Sequence, residues 1–156
     1  MFAAMIAAGA ALFLTGCGGG DGGDNPPANI AGTWQGPFTL TYKGQSVGGT
    51  TILVLTQDGS NISGTMGGGK VPTSGVVDGN SVALVSTSEF TYTWDLTADG
   101  DSMSGTFVVT GEGIDGQMDG TVSLTRVTAA GAHAEQGAGK GLDLENAAAE
   151  LLKKMR

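Results

Sequence analysis

Histidine and cysteine each occur once in this chain, and Lys and Arg together only seven times. A single cysteine allows no disulfide within the chain. The single histidine, His133, lies in an Ala/Gly-rich tail, so no Ser–His–acid set can assemble in the body of the protein, and we expect no enzyme activity. Seven basic against fifteen acidic residues give a net charge of −8. Nucleic acid is excluded as a partner, because phosphate neutralisation needs Lys and Arg. Electrostatic binding to anionic lipid surfaces is excluded on the same ground. No long hydrophobic run is present: the apolar stretch from Phe2 to Phe13 falls short of the roughly 20 residues of a membrane-spanning helix.

Glycine is plentiful, 29 of 156 residues, but without the period of three that marks collagen. Gly18 to Asn29 is rich in Gly, Asp and Pro and reads as a flexible tether. The layout that follows is a leader over 1–16, a linker over 17–29, one domain over 30–127, and a low-complexity linker with a short helix over 128–156.

The leader has the apolar middle and the small residues of a secretory signal but lacks its basic start. It ends Leu14-Thr15-Gly16-Cys17, which resembles the lipobox of bacterial lipoproteins. The resemblance implies cleavage before Cys17 and a lipid-modified, palmitate-bearing Cys17 as the new N-terminus, with the membrane as partner through that group. It also implies the outer membrane, on its periplasmic or surface face, because Gly18 rather than Asp follows the cysteine. Each buried methylene of such a lipid contributes about 0.8 kcal/mol, so several acyl chains hold a protein firmly. An uncleaved anchor is the other reading of the same stretch.

The middle of the chain is duplicated. Leu55–Met66 aligns with Leu96–Phe107 at an offset of 41 residues, and Gly75–Gly79 aligns with Gly116–Gly120 at the same offset. Two copies fit one closed sheet better than a propeller. Asp-Gly pairs at Asp58, Asp78 and Asp99 stand between alternating runs and signal hairpins. The alternation predicts eight strands, over 31–42, 49–57, 61–67, 72–77, 81–87, 90–97, 102–110 and 116–127. Trp34, Phe38, Leu40 and Tyr42 share one face of the first; Phe90, Tyr92, Trp94 and Leu96 share one face of the sixth; Thr fills the opposite faces. One-sided burial along sequential hairpins predicts an all-β, eight-stranded antiparallel up-and-down barrel, closed so that no edge is left exposed.

Gly32-Thr33-Trp34 on the first strand resembles the Gly-x-Trp signature of lipocalins and avidins, and Arg126 stands where many lipocalin-like barrels carry a basic residue on the last strand. The resemblance implies a barrel-closing pair, with Arg126 packed on Trp34, worth about 0.5–2 kcal/mol. The residues of the avidin biotin pocket have no counterpart here.

The tight Asp-Gly turns share one rim with both ends of the domain. The connections over 43–48, 67–70 and 111–115 share the other rim and form a looser mouth. Inner residues near that mouth are Tyr42, Met66, Phe90, Tyr92, Phe107 and Met118, the candidate lining of a site for a small apolar molecule. The competing reading is an interior filled by its own side chains, with Gly36, Gly64 and Gly105 making room for Trp34 and Trp94, and a structural or envelope-interaction role on the outside. The aspartates of the tight rim are explained by turn chemistry and show no calcium-site spacing, so no metal or other cofactor is expected. Glu89 and Glu112 formally allow a carboxylate pair at the mouth, though solvated loop charges explain them as well. In the tail, Asp143 reads as an N-cap. Leu144, Ala147, Ala148, Leu151 and Met155 follow at helical spacing, with Lys153, Lys154 and Arg156 at the favourable end of the helix dipole. We expect this helix to pack on the barrel wall; a protein-partner helix is the sharper alternative.

Metabolic labelling with a palmitate analogue tags the protein if Cys17 is lipidated, and Cys17→Ala abolishes the label. A variant that still labels refutes the lipobox reading.

Overall fold

The computed structural model describes residues 26–128 and 143–154. Eight strands are followed by one helix: β1 Gly32–Tyr42, β2 Gln45–Asp58, β3 Asn61–Met66, β4 Val71–Asp78, β5 Ser81–Thr87, β6 Phe90–Asp99, β7 Ser102–Gly111, β8 Met118–Arg126 and α1 Leu144–Lys154. Each strand pairs antiparallel with the next, and β8 returns to pair with β1, so the sheet is a closed barrel in sequence order. The alternation decides this: on β6 every second residue from Phe90 to Ala98 is buried, while Thr93, Asp95, Thr97 and Asp99 between them are exposed. Only a closed sheet hides one face of every strand and leaves no unpaired edge.

Most strand ends fall within one or two residues of the sequence reading, and two differences reshape the connections at the mouth. Instead of a loop from Lys43 to Gly48, β1 and β2 are joined by a two-residue turn in which Lys43 and Gly44 have φ of 46° and 81°, so β2 starts at Gln45. Its first residues lack apolar alternation, yet they pair along β1, Val47 opposite Leu40. The last strand begins at Met118, because Gly116, at φ 91°, still belongs to the connection. At the tight rim, Gly59, Gly79 and Gly100 open the turns, while Asp58, Asp78 and Asp99 pair as the last strand residues before them.

The end of the barrel where β1 begins is closed by polar bonds around two apolar side chains. The Arg126 guanidinium carbon sits 4.3 Å from the centre of the fully buried Trp34 ring. Its Nε donates to Asp101 at 2.9 Å, its Nη2 to the Asn29 carbonyl at 2.6 Å, and its Nη1 to the Ala31 carbonyl. The Trp34 indole N–H donates to the carbonyl of Ile30, whose side chain is itself buried. Gln57 accepts from Ile30 N–H at 2.7 Å and donates to the Ala28 carbonyl at 3.0 Å, which lays the segment before β1 across this end.

The inner glycines act differently from the sequence expectation. At Gly36, Gly64 and Gly105 a Cβ would run into the backbone of the neighbouring strand, so these positions let strands approach where the sheet bends and do not make room for the tryptophans. Gly120 does make room for a ring: an added Cβ would fall on Phe107, which lies opposite it in the register, and Gly111 does the same for Phe90. Phe107 in turn packs on Trp94 with centroids 4.7 Å apart and meets Phe38 edge-on at 6.4 Å.

The helix also departs from expectation. It does not lie on the outer wall but across the mouth: Leu144, Ala147, Ala148 and Leu151 are fully buried in the same cluster as the barrel interior. It rests chiefly on β2 and less on β1. Asp143 caps it as the sequence suggests, its Oδ1 accepting from Asn146 N–H at 2.9 Å, while Oδ2 lies 4.0 Å from Lys70 Nζ.

Gly120→Ala is expected to destabilise the barrel by about 1–3 kcal/mol through overpacking against Phe107. In a Phe107→Ala background the same change costs much less. Urea melts of the four-member cycle read the coupling; strictly additive losses would contradict the ring-against-glycine packing.

Candidate functional site

The six mouth candidates are brought inside the barrel, but into different roles. Met66, Tyr92 and Met118 are fully buried, and Phe107, Tyr42 and Phe90 expose 2%, 5% and 7%. Phe107 belongs to the middle of the core with Trp94 and Phe38, away from the mouth. Tyr42 fastens the rim: its hydroxyl accepts from Asp115 N–H at 2.9 Å and holds the β7–β8 connection against β1. Lys43 adds an ion pair to the same Asp115 at 3.1 Å, and that hydrogen bond, with the nearby Tyr42, holds the Lys43 ammonium above its ordinary pKa. Phe90 lies under α1 at a shallow depression of about 250 Å³ bounded by Ala149, Leu152 and Lys153. Cys17 lies outside the described residues.

Sequence reading missed three inner-face polar residues, Thr51, Thr73 and Ser86, all buried. The signal was available, since each shares parity with apolar inner neighbours: Thr51 with Leu53, Thr73 with Val71, Ser86 with Leu84. Two of them form a chain. The Trp94 indole N–H donates to Ser86 Oγ at 3.2 Å, Ser86 and Thr73 hydroxyls bond at 2.7 Å, and Thr73 Oγ1 reaches the Val71 carbonyl at 3.4 Å. Run in that order, every donor proton has an acceptor.

Thr51 Oγ1 and the Tyr92 hydroxyl, by contrast, are buried with no hydrogen-bond partner among the described residues. Both sit on the inner face in the mouth half. Thr51 precedes Leu53, which pairs with Met66 at the mouth end of β3, and Tyr92 is the next inner residue after Phe90 at the mouth end of β6. An unsatisfied buried hydroxyl costs about 1–3 kcal/mol. Burial, then the carboxylates of Glu145, Asp143 and Glu89, push the Tyr92 phenol far above its ordinary pKa. The upper interior is therefore apolar, carries two idle hydroxyls and faces a negative rim.

A second feature lies outside the barrel. Along the β1–β8 seam, Thr39, Thr41, Thr106, Asp119 and Thr121 border a groove of about 370 Å³ over Gly120. It continues into one of about 300 Å³ between Pro37 and Ser123. Its rim is hydroxyl-rich and its floor belongs to the core.

Because Tyr92 keeps its proton in the folded state, the unfolded chain ionises first, near pH 10. The contribution of the neutral phenol is present below that pH and is lost as pH rises above it. Urea melts between pH 7 and pH 11 should show Tyr92→Phe at least as stable as wild type at neutral pH and less sensitive to alkali; identical alkaline slopes would contradict the assignment. Neither a scan of protein-family models nor a search of curated proteins finds a match to this chain.

Proposed function

We propose that this chain is a lipid-anchored envelope protein, held in the outer membrane through Cys17, whose lipocalin-like barrel binds a small apolar molecule at a mouth gated by α1. The observation that carries the reading is the identity of the stopper. The mouth is closed by a helix that reaches it through the stretch after Thr128, not by the barrel's own loops, and the buried side of that helix is Leu144, Ala147, Ala148 and Leu151. A self-filling core needs no such addition. The lower interior is solid with Trp34, Trp94, Phe38 and Phe107, so the site is a shallow cup in the upper part, occupied by the helix when no ligand is present.

The tether has a direction. The segment from Ala28 to Ile30 crosses the tight rim, so the chain leading back to Cys17 joins the barrel at that end, at most about 40 Å of extended chain from the cysteine. The binding reading asks for no covalent chemistry and no cofactor.

The near-complete burial of all six candidate residues favours a second reading, a filled barrel whose Thr-rich wall meets an envelope partner along the β1–β8 groove. Leu151→Glu in the full chain separates the two. A charge at that buried position should expel α1, lower the melting temperature by several degrees, keep the near-ultraviolet circular dichroism of the barrel, and raise saturable, displaceable binding of N-phenyl-1-naphthylamine. If the variant binds no more of this dye than wild type or a Lys154→Glu control, the filled-barrel reading stands.

A further inference from the structure

We propose that Tyr92 and Thr51 form the polar end of the same cup and read the uncharged, hydrogen-bonding head of a single-chain lipid, whose tail takes the space that α1 fills. This rests on the barrel being a gated binding module.

The argument begins with the contrast between two sets of buried hydroxyls. In the same mouth half, level with Tyr92 whose register partner is Ser86, the chain from Trp94 through Ser86 and Thr73 to the Val71 carbonyl uses every proton. The fold can therefore satisfy inner hydroxyls. At the mouth it leaves two idle, one on β2 and one on β6. Shape does not require them. Valine serves at inner positions on β4, β5, β7 and β8, as Val77, Val82, Val109 and Val122, and would fill the place of Thr51 without an orphan. Phenylalanine would do the same for Tyr92. Hydroxyls retained at a loss of stability point to a partner that arrives later.

Charge narrows the partner. Glu89 stays at the mouth when α1 withdraws, while Asp143 and Glu145 leave with the helix. Among the described residues no Lys or Arg is buried, and those nearest the mouth, Lys43, Lys70 and Lys153, are exposed to solvent. A carboxylate or phosphate head at Tyr92 would lose its hydration with no buried cation to offset it. An ester carbonyl or an alcohol meets two hydroxyls, each able to donate. The tail follows from α1: its buried side chains are a strip of aliphatic groups lying on β2, and an alkyl chain replaces that strip in kind.

Titration of the full mature chain with 1-monolauroylglycerol and with laurate, both below their micelle concentrations at pH 8, tests this by tryptophan fluorescence and calorimetry. Monolauroylglycerol should bind saturably at one site and laurate at least about tenfold more weakly. Tyr92→Phe combined with Thr51→Val should weaken monolauroylglycerol by roughly tenfold, the loss of two ordinary hydrogen bonds, while leaving thermal stability undiminished. Thr51→Ser, which keeps the hydroxyl, should retain affinity. Equal affinity for the two lipids, or a double variant that binds monolauroylglycerol like wild type, overturns the polar reading and leaves an apolar cup standing. Absence of binding by every probe, in wild type and in Leu151→Glu alike, removes both readings together.

Discussion

Backbone pairing between β1 and β8 turns a ribbon of hairpins into a ring, and most other features of the molecule depend on that closure. An open ribbon of this sequence would bury little: each strand carries its large side chains on one face only, and without closure that face meets water. Closed, the same strands surround Trp34, Trp94, Tyr92 and Phe107 on all sides. The β1–β8 ladder is interrupted around Pro37, which has no N–H to donate, and Gly36 there presses against the β8 backbone. The Trp34–Arg126 stack at the end of that seam fastens the same two strands where the ladder runs out. Closure and stack are thus two parts of one constraint, and a loss at either weakens the other.

A ring of this size leaves limited room, and the interior solves the filling problem unevenly. Phe107 occupies the space over Gly120 and stacks on Trp94, so the middle layer is aromatic and dense. Towards the mouth two inner hydroxyls stand without a partner among the described residues, on Thr51 of β2 and Tyr92 of β6. The strands at that end are also uneven in reach, because the β1–β2 hairpin extends beyond its neighbours through Gln45 and Tyr42. Its inner surface would stand uncovered without α1, which explains why the helix lies mainly on β2.

Much of this was legible in the chain before any coordinates. Strand number, order and inner parity follow from alternation and from the Asp-Gly turns, since both depend on neighbours a few residues apart. The pairing of Trp34 with Arg126 was legible only through resemblance, because those residues are far apart in sequence. Three things were not legible. The tight turn at Lys43-Gly44 was hidden because the following residues carry no apolar rhythm and are held in register by β1 alone. The part played by Gly36, Gly64 and Gly105 depends on how closely strands approach, which no periodicity encodes. The seat of α1 depends on a vacancy at the mouth, a property of the assembled ring and not of the helix, whose amphipathic pattern fits a wall or a mouth equally well.

The two ends of the barrel are closed by different physics, and this sets which end opens. At the end where β1 begins, Arg126, Gln57 and Trp34 tie the chain before β1 in place through directional bonds to Asp101, Asn29, Ala31, Ala28 and Ile30. Releasing that segment strands several polar groups together and uncovers the Trp34 ring. Among the described residues, α1 is tied to the mouth by apolar side chains and one contact of 4.0 Å between Lys70 and Asp143, both partly exposed. The N-cap of α1 is internal to the helix and leaves with it. Withdrawal would therefore break few directional bonds. Local opening follows the element with the fewest directional ties. By that measure α1 is the weakest-held element among the described residues, at the end of the barrel opposite the one that Arg126 closes.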